Sequence, residues 1–222
     1  MNAIDLNALD HSDHSDHSDG SATSQRSSRG AHSELRISPN TALIVIDVQQ
    51  TFDDHGYWGE RDNPDAENNI LRLVGHWQNR GLPLVMVMHT STRPESTFHP
   101  DRTSSQLKPF LANIKPTLAV AKTVNSSFLG SPDLAGWLTA NGIKQVVLCG
   151  IQTNMCVETT ARMSGNLGFS TVMAIDACHT FDLQGPDGSV IQAAELSKST
   201  ATNLFGGGFA DVVTTQTIME SF

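Results

Sequence analysis

The stretch GIQTNMCVETTAR, residues 150–162, sets a cysteine just beyond an apolar run that closes on glycine. Gly150 ends a strand pattern, Thr153 reads as an N-cap, and Cys156 then stands in the first turn of a helix. There the helix dipole and the unpaired backbone N–H groups favour a thiolate, and the same N–H groups can stabilise an oxyanion. The position suits a nucleophile; the bland alternative is a buried structural thiol at a helix start. Two further side chains sit at comparable points. Asp47 follows ALIVI (42–46) and Lys122 follows TLAVA (117–121). A lysine closing a buried strand calls for a partner. Taken singly, Asp47 could cap a turn in DVQQTF and Lys122 could lie on an exposed edge strand.

What must position them is legible in the runs themselves. ALIVI, PLVMVM (83–88), TLAVA, QVVLC (145–149), STVMAI (170–175) and FADVV (209–213) are mostly apolar throughout, as in strands covered on both faces of a parallel sheet. Helical patterns alternate with them. Ile70, Leu73, Val74 and Trp77 form one stripe before Gly81 and Pro83. Ser131-Pro132 reads as the N-cap and first turn of a helix bearing Leu134, Trp137 and Leu138, stopped by Asn141-Gly142. A third helix spans 153–167. Val190, Ala193, Ala194, Ser197, Ala201 and Leu204 stripe a fourth, ended by Gly206-Gly207-Gly208. The expected fold class is α/β: a Rossmann-like three-layer α/β/α sandwich on a six-stranded, mainly parallel sheet with right-handed crossovers. Segment 91–116 is less regular and covers an edge or the site. Ligands of open α/β sheets lie beyond the carboxyl ends of the strands. Those ends read Asp47, His89, Lys122, Gly150 and Asp176, so a carboxylate, an ammonium and a thiol can meet at one rim.

Residues 1–36 differ in kind. HSDHSDHSD and GSATSQRSSRG lack apolar periodicity and predict a disordered tail ahead of one domain at 37–222. His11, His14 and His17 could collect a divalent ion weakly. Over 222 residues the net charge is −9, which argues against nucleic acid or an anionic membrane as partner. No apolar run approaches the roughly 18 residues of a membrane span, and no secretory pattern is visible, so a cytoplasmic setting is expected. Cys149, Cys156 and Cys178 are too few and unevenly spaced for a disulfide framework or a zinc site. FGGGFA (205–210) is a helix cap and turn, not a phosphate loop.

The segments LIVIDVQ, AKTVNSSF and CGIQTNMCVETTARMSGNLGF resemble, in order and spacing, the isochorismatase-like cysteine hydrolases, a superfamily that includes nicotinamidases, N-carbamoylsarcosine and ureidoacrylate amidohydrolases, and isochorismatases. The resemblance runs from about residue 40 to 215. It implies Asp47 as general base, Lys122 as its cationic partner and Cys156 as nucleophile. It also implies a cis peptide at Ile151–Gln152 and an oxyanion hole from the N–H groups of Gln152 and Cys156. Phe52, Asn125 and Phe128 fall where relatives line the substrate pocket; His89 is a further candidate there, with Trp58 and Phe98. The D-x-H metal motif of nicotinamidases is missing: His89 and His99 are present in VMHTSTRPESTFHP without it, and no metal or other cofactor is expected. Asp53, Asp54 and His55 offer a second metal reading, against that of a solvated loop. Arg93 and Arg102 could read a substrate carboxylate. The implied activity is cleavage of a C–N bond in a small amide, ureido or lactam compound through a thioester. The alternatives are vinyl ether hydrolysis of the isochorismatase type and an inactive binding module. Homo-oligomers, dimer or tetramer, are implied by the same resemblance.

Overall fold

A computed structural model describes residues 35–222. The tail expected at 1–36, with His11, His14 and His17, lies almost wholly outside the described residues.

Six strands form one sheet: β1 (Thr41–Ile46), β2 (Leu84–His89), β3 (Leu118–Lys122), β4 (Gln145–Ile151), β5 (Ser170–His179) and β6 (Asp211–Val213). Their order is β3-β2-β1-β4-β5-β6, and every pairing is parallel. Every residue of β1 and β4 is buried. Continuous apolar runs are what a doubly covered strand requires.

The longer helices are α1 (Ala66–Asn79), α2 (Leu134–Ala140), α3 (Glu158–Asn166), α4 (Ala193–Gly206) and α5 (Thr215–Glu220), beside a single helical turn at His55–Trp58. α1 crosses from β1 to β2, whereas α2 (β3 to β4), α3 (β4 to β5) and α4 (β5 to β6) make crossovers that run the opposite way across the sheet. Right-handed connections then send α1 to one face and the other three to the opposite face. α5 returns to pack on α1. The α1 stripe of Ile70, Leu73, Val74 and Trp77 is buried as its spacing predicts, and the Trp77 indole N–H donates to the Thr41 carbonyl at 3.0 Å. Among the described residues no helix is long and apolar enough to cross a membrane.

Four local expectations fail. Ser131-Pro132 does not begin α2: the bond is cis, Asp133 is the N-cap, and the Ser131 backbone is engaged with Ala121 by hydrogen bonds of 2.8 and 2.9 Å. Thr153 is not an N-cap. Gln152 holds that place, and Thr153–Val157 forms a single π-helical turn leading into α3. β5 does not end at Asp176 but continues to His179; the Asp176 carboxylate accepts from the Thr215 backbone N–H and hydroxyl at 2.7 and 2.9 Å. Val190 belongs to a two-residue ribbon strand rather than to α4.

Strand order reverses around β1 and β4, since β1 leads to β2 on one side while β4 leads to β5 on the other. Loops leaving these two strands diverge, and it is at such a switch point, beyond the strands' carboxyl ends, that open α/β sheets hold their ligands. Gly150 lets the two backbones close there. Its φ is +131°, and a Cβ would lie 2.0 Å from the Ile46 carbonyl oxygen, so no other residue fits.

Candidate active site

Asp47 leaves β1 with φ +52°, a left-handed conformation uncommon outside glycine though better tolerated by Asp than by most residues. Its N–H donates to Val87 O at 2.9 Å and its carbonyl accepts from Gln49 N at 2.8 Å, which hold the turn. Lys122 closes β3, and its ammonium donates to Asp47 Oδ2 at 2.6 Å. Lys122 and Asp47 side chains are 0% and 1% exposed. From the π turn after β4, Cys156 brings its sulfur to 3.3 Å from Lys122 Nζ. The preceding Ile151–Gln152 peptide bond is cis. His89, at the end of β2, places Nδ1 3.3 Å from the same ammonium. Side chains from four strand ends thus gather on one nitrogen. A carboxylate oxygen of Asp47, a His89 ring nitrogen and Cys156 Sγ lie within 4.8 Å of one another. That donor set could hold a divalent ion, but the Lys122 ammonium already sits in hydrogen-bond contact with all three, so the positive charge at this point is an amine.

Burial dominates the electrostatics. It raises the Asp47 carboxyl above its ordinary 3.8 even though the Lys122 charge and hydrogen bond pull it down. Burial, then the Asp47 charge, push the Cys156 thiol up to about 12, against the pull of Lys122. The first-turn position therefore does not leave a free thiolate at neutral pH. What it leaves is a thiol beside a carboxylate that is a better base than usual. Asp47 Oδ1 is buried and has no hydrogen-bond partner among the described residues, so one oxygen is free to take a proton.

Around this centre runs an aromatic wall. His89 meets Phe98 edge-on at 4.8 Å, Phe98 meets Phe52 at 5.6 Å, and Phe52 packs on Trp58 at 4.9 Å and Phe181 at 6.1 Å. Phe52 and His89 thus belong to one surface, which Trp58 and Phe98 extend. Phe128 is buried and stacks on Phe169 at 5.8 Å, and Asn125 is exposed. The acids and histidine at 53–55 go separate ways. Asp53 pairs with Lys108 at 2.5 Å, Asp54 caps a helical turn through Tyr57 N, and His55 pairs with Glu60 at 3.2 Å. His99 lies beside Asp101, Arg93 beside Glu95, and Arg102 donates to the Pro94 carbonyl.

Two contributors had no assigned role in the sequence. Gln49, fully buried, accepts from His89 N at 2.9 Å and donates to His89 O at 2.9 Å and Ser105 O at 2.6 Å, stapling the ends of β1 and β2 together. Phe181 completes the wall from beyond β5. A buried amide inside LIVIDVQ was a signal for the first; nothing local marks the second.

An α/β sandwich with an acid, an amine and a thiol at its switch point defines a class of hydrolase. The isochorismatase domain matches residues 41–216. YrdC, an isochorismatase family protein of Bacillus subtilis (strain 168), is 38% identical over 82% of this chain and 95% of its own. The solved structure of an isochorismatase-family protein from Chromobacterium violaceum superposes with a TM-score of 0.80 at 36% identity, covering 86% of this chain and 98% of the other. Nicotinamidase 3 of Arabidopsis thaliana is 26% identical over 78% of this chain and 83% of its own. The chain belongs to the isochorismatase family and is a hydrolase.

Proposed function

We propose that this protein is a cysteine amidohydrolase that cleaves the C–N bond of a small amide, ureido or lactam compound. The observation that carries the reading is the Lys122 ammonium, held at 2.6 Å from Asp47 and 3.3 Å from Cys156. Asp47 takes the Cys156 proton as the sulfur attacks the amide carbonyl, because a thiol held near 12 does not ionise unaided at neutral pH. Backbone N–H groups of Gln152 and Cys156 receive the oxyanion. Protonated Asp47 then gives its proton to the leaving nitrogen, and ammonia or an amine departs from a thioester. Water enters, loses a proton to the same carboxylate, and hydrolyses the thioester to the acid, which restores the thiol. Lys122 balances the negative charge that moves between carboxylate and sulfur. The amide-hydrolysing name of a relative, nicotinamidase, supports this chemistry. The protein works as a dimer or tetramer, by resemblance to its relatives.

The test is nitrogen release from a panel of primary amides, ureido acids, lactams and isochorismate. Cys156→Ala is expected to abolish release of ammonia or amine. Full turnover by that variant, with isochorismate as the substrate consumed, would establish the vinyl ether reaction instead, since acid catalysis of an ether does not need the sulfur.

A further inference from the structure

An ammonium has three N–H donors, and this site offers an acceptor to each. Two belong to the proposed reaction. The third, His89 Nδ1 at 3.3 Å, does not. Its placement is built in. His89 and Lys122 are register partners across β2 and β3, so their side chains leave the same face of the sheet. Gln49 clamps the His89 backbone through both its N–H and its C=O, and Phe98 packs its ring edge-on against the imidazole. A ring that accepts from an ammonium at Nδ1 must be neutral there and carry its proton on Nε2. Burial and the Lys122 charge favour the same state, holding the ring's pKa down to about 4. Among the described residues Nε2 has no hydrogen-bond partner, and it is not among the buried polar atoms left without one. It is therefore reachable from solvent.

We propose that His89 is a positioning residue for Lys122 and, through the same hydrogen bond, a fixed Nε2–H donor that recognises the substrate. The first role keeps the ammonium between carboxylate and sulfur rather than collapsed onto the carboxylate, where the 2.6 Å contact draws it. The second selects amides whose acyl side carries an uncharged acceptor, such as a ring nitrogen, a second carbonyl or a ureido oxygen. A permanent cation at that point would face Lys122 and a donor N–H together, and is rejected. This inference rests on the amidohydrolase reading of the same site.

The experiment uses the full chain and three variants: His89→Asn, which keeps an acceptor where Nδ1 lies; His89→Gln, which reaches the Nε2 side only; and His89→Leu, which keeps neither. Cys156 alkylation by iodoacetamide, followed by mass spectrometry from pH 6 to 9.5, needs no substrate. His89→Leu and His89→Gln are expected to slow it about tenfold, the order lost with one hydrogen bond to a charged group, and His89→Asn less than about threefold. On an amide found by the screen, His89→Asn is expected to keep kcat and raise KM about tenfold, because only the donor is gone. Circular dichroism verifies that each variant is folded. Alkylation of His89→Leu at the wild-type rate and with its pH dependence would overturn the positioning role. An unchanged KM in His89→Asn would overturn the recognition role. If wild type neither alkylates at Cys156 nor turns over any amide, the triad reading fails and takes this one with it.

Discussion

At the scale of single residues, the site depends on which of two neighbours holds a proton. Burial raises both Asp47 and Cys156, and Lys122 lowers both. In the proposed reaction the active form has Asp47 ionised and Cys156 protonated. Activity is therefore lost as pH falls through the Asp47 value, which lies above the ordinary 3.8. The acid limb of kcat/KM against pH is expected above that of an exposed carboxylate, and a limb at or below 3.8 would contradict the burial argument. Asp47→Asn is expected to lower kcat by about 10³ or more, within the range for losing a general acid–base group. It also leaves a buried ammonium without its counter-charge, at a cost of about 3–5 kcal/mol, so urea denaturation must accompany the kinetics. Cys149 and Cys178 are wholly buried and burial pushes their thiols up as well. Cys156, half-buried, is expected to alkylate first of the three, with a rate that climbs with pH. Asp47, Lys122 and Cys156 were legible because each follows an apolar run. The Cys156 proton affinity was not, because helix position announces a dipole while burial is set by loops distant in sequence. His89 was legible as a rim residue; its tautomer depends on a strand register that no single segment encodes.

Among elements, the strands were read well and the turns poorly. Doubly buried parallel strands need continuous apolar runs, so β1, β2, β4 and β5 appear in the sequence within a residue or so at their starts. β3 is equally apolar and starts within a residue of its run, but it is an edge strand with Ala119 and Ala121 exposed, not one covered on both faces. The far ends drift because hydrogen bonding, not hydropathy, ends a strand. Asp176 looks like a terminus yet sits inside β5, its carboxylate engaged by Thr215 at the start of α5. Ser131-Pro132 carries the right residue types for a helix start, but Ala121 takes the Ser131 backbone into a bridge. The π turn at Thr153–Val157 is invisible to composition. It is also the element that delivers Cys156, and Gly150 fixes where it begins. Gly150→Ala would set a Cβ 2.0 Å from the Ile46 carbonyl at a φ of +131°. We expect a loss of about 2–4 kcal/mol in urea denaturation, from strain and a forced separation of β1 and β4. Alkylation of Cys156 should fall in the same variant even where it remains folded, since the turn carrying the sulfur starts from that glycine.

For the molecule as a whole, two surfaces of its physics are testable. The ribbon of Leu183–Gln184 and Val190–Ile191 exposes Leu183, Val190 and Ile191 at 43%, 59% and 43%. Exposed apolar side chains on a short two-stranded ribbon suit the proposed self-association. Sedimentation of the wild type is expected to show a dimer or tetramer, and Val190→Asp with Ile191→Asp to shift it toward smaller species. The second concerns acid. His179 is fully buried beside the Ile151 end of β4, and both ring nitrogens lack a hydrogen-bond partner among the described residues. Burial, then the charges of Arg61 and Lys108, lower its pKa to about 3. The unfolded chain binds a proton there near the ordinary 6.5, and the folded chain does not. A depressed folded value means that stability is whole above 6.5 and declines as pH falls below it. At pH 5 the loss is about 2 kcal/mol, a figure set by the unfolded value alone as long as the folded one stays well below 5. His179→Leu removes the group from both states. The difference in unfolding free energy between wild type and His179→Leu is therefore expected to move by about 2 kcal/mol in favour of the variant between pH 7 and pH 5, with the Asp47 contribution cancelling because both proteins carry it. A difference that stays constant with pH would mean that His179 takes up its proton in the folded protein and that the buried ring is less isolated than its packing implies.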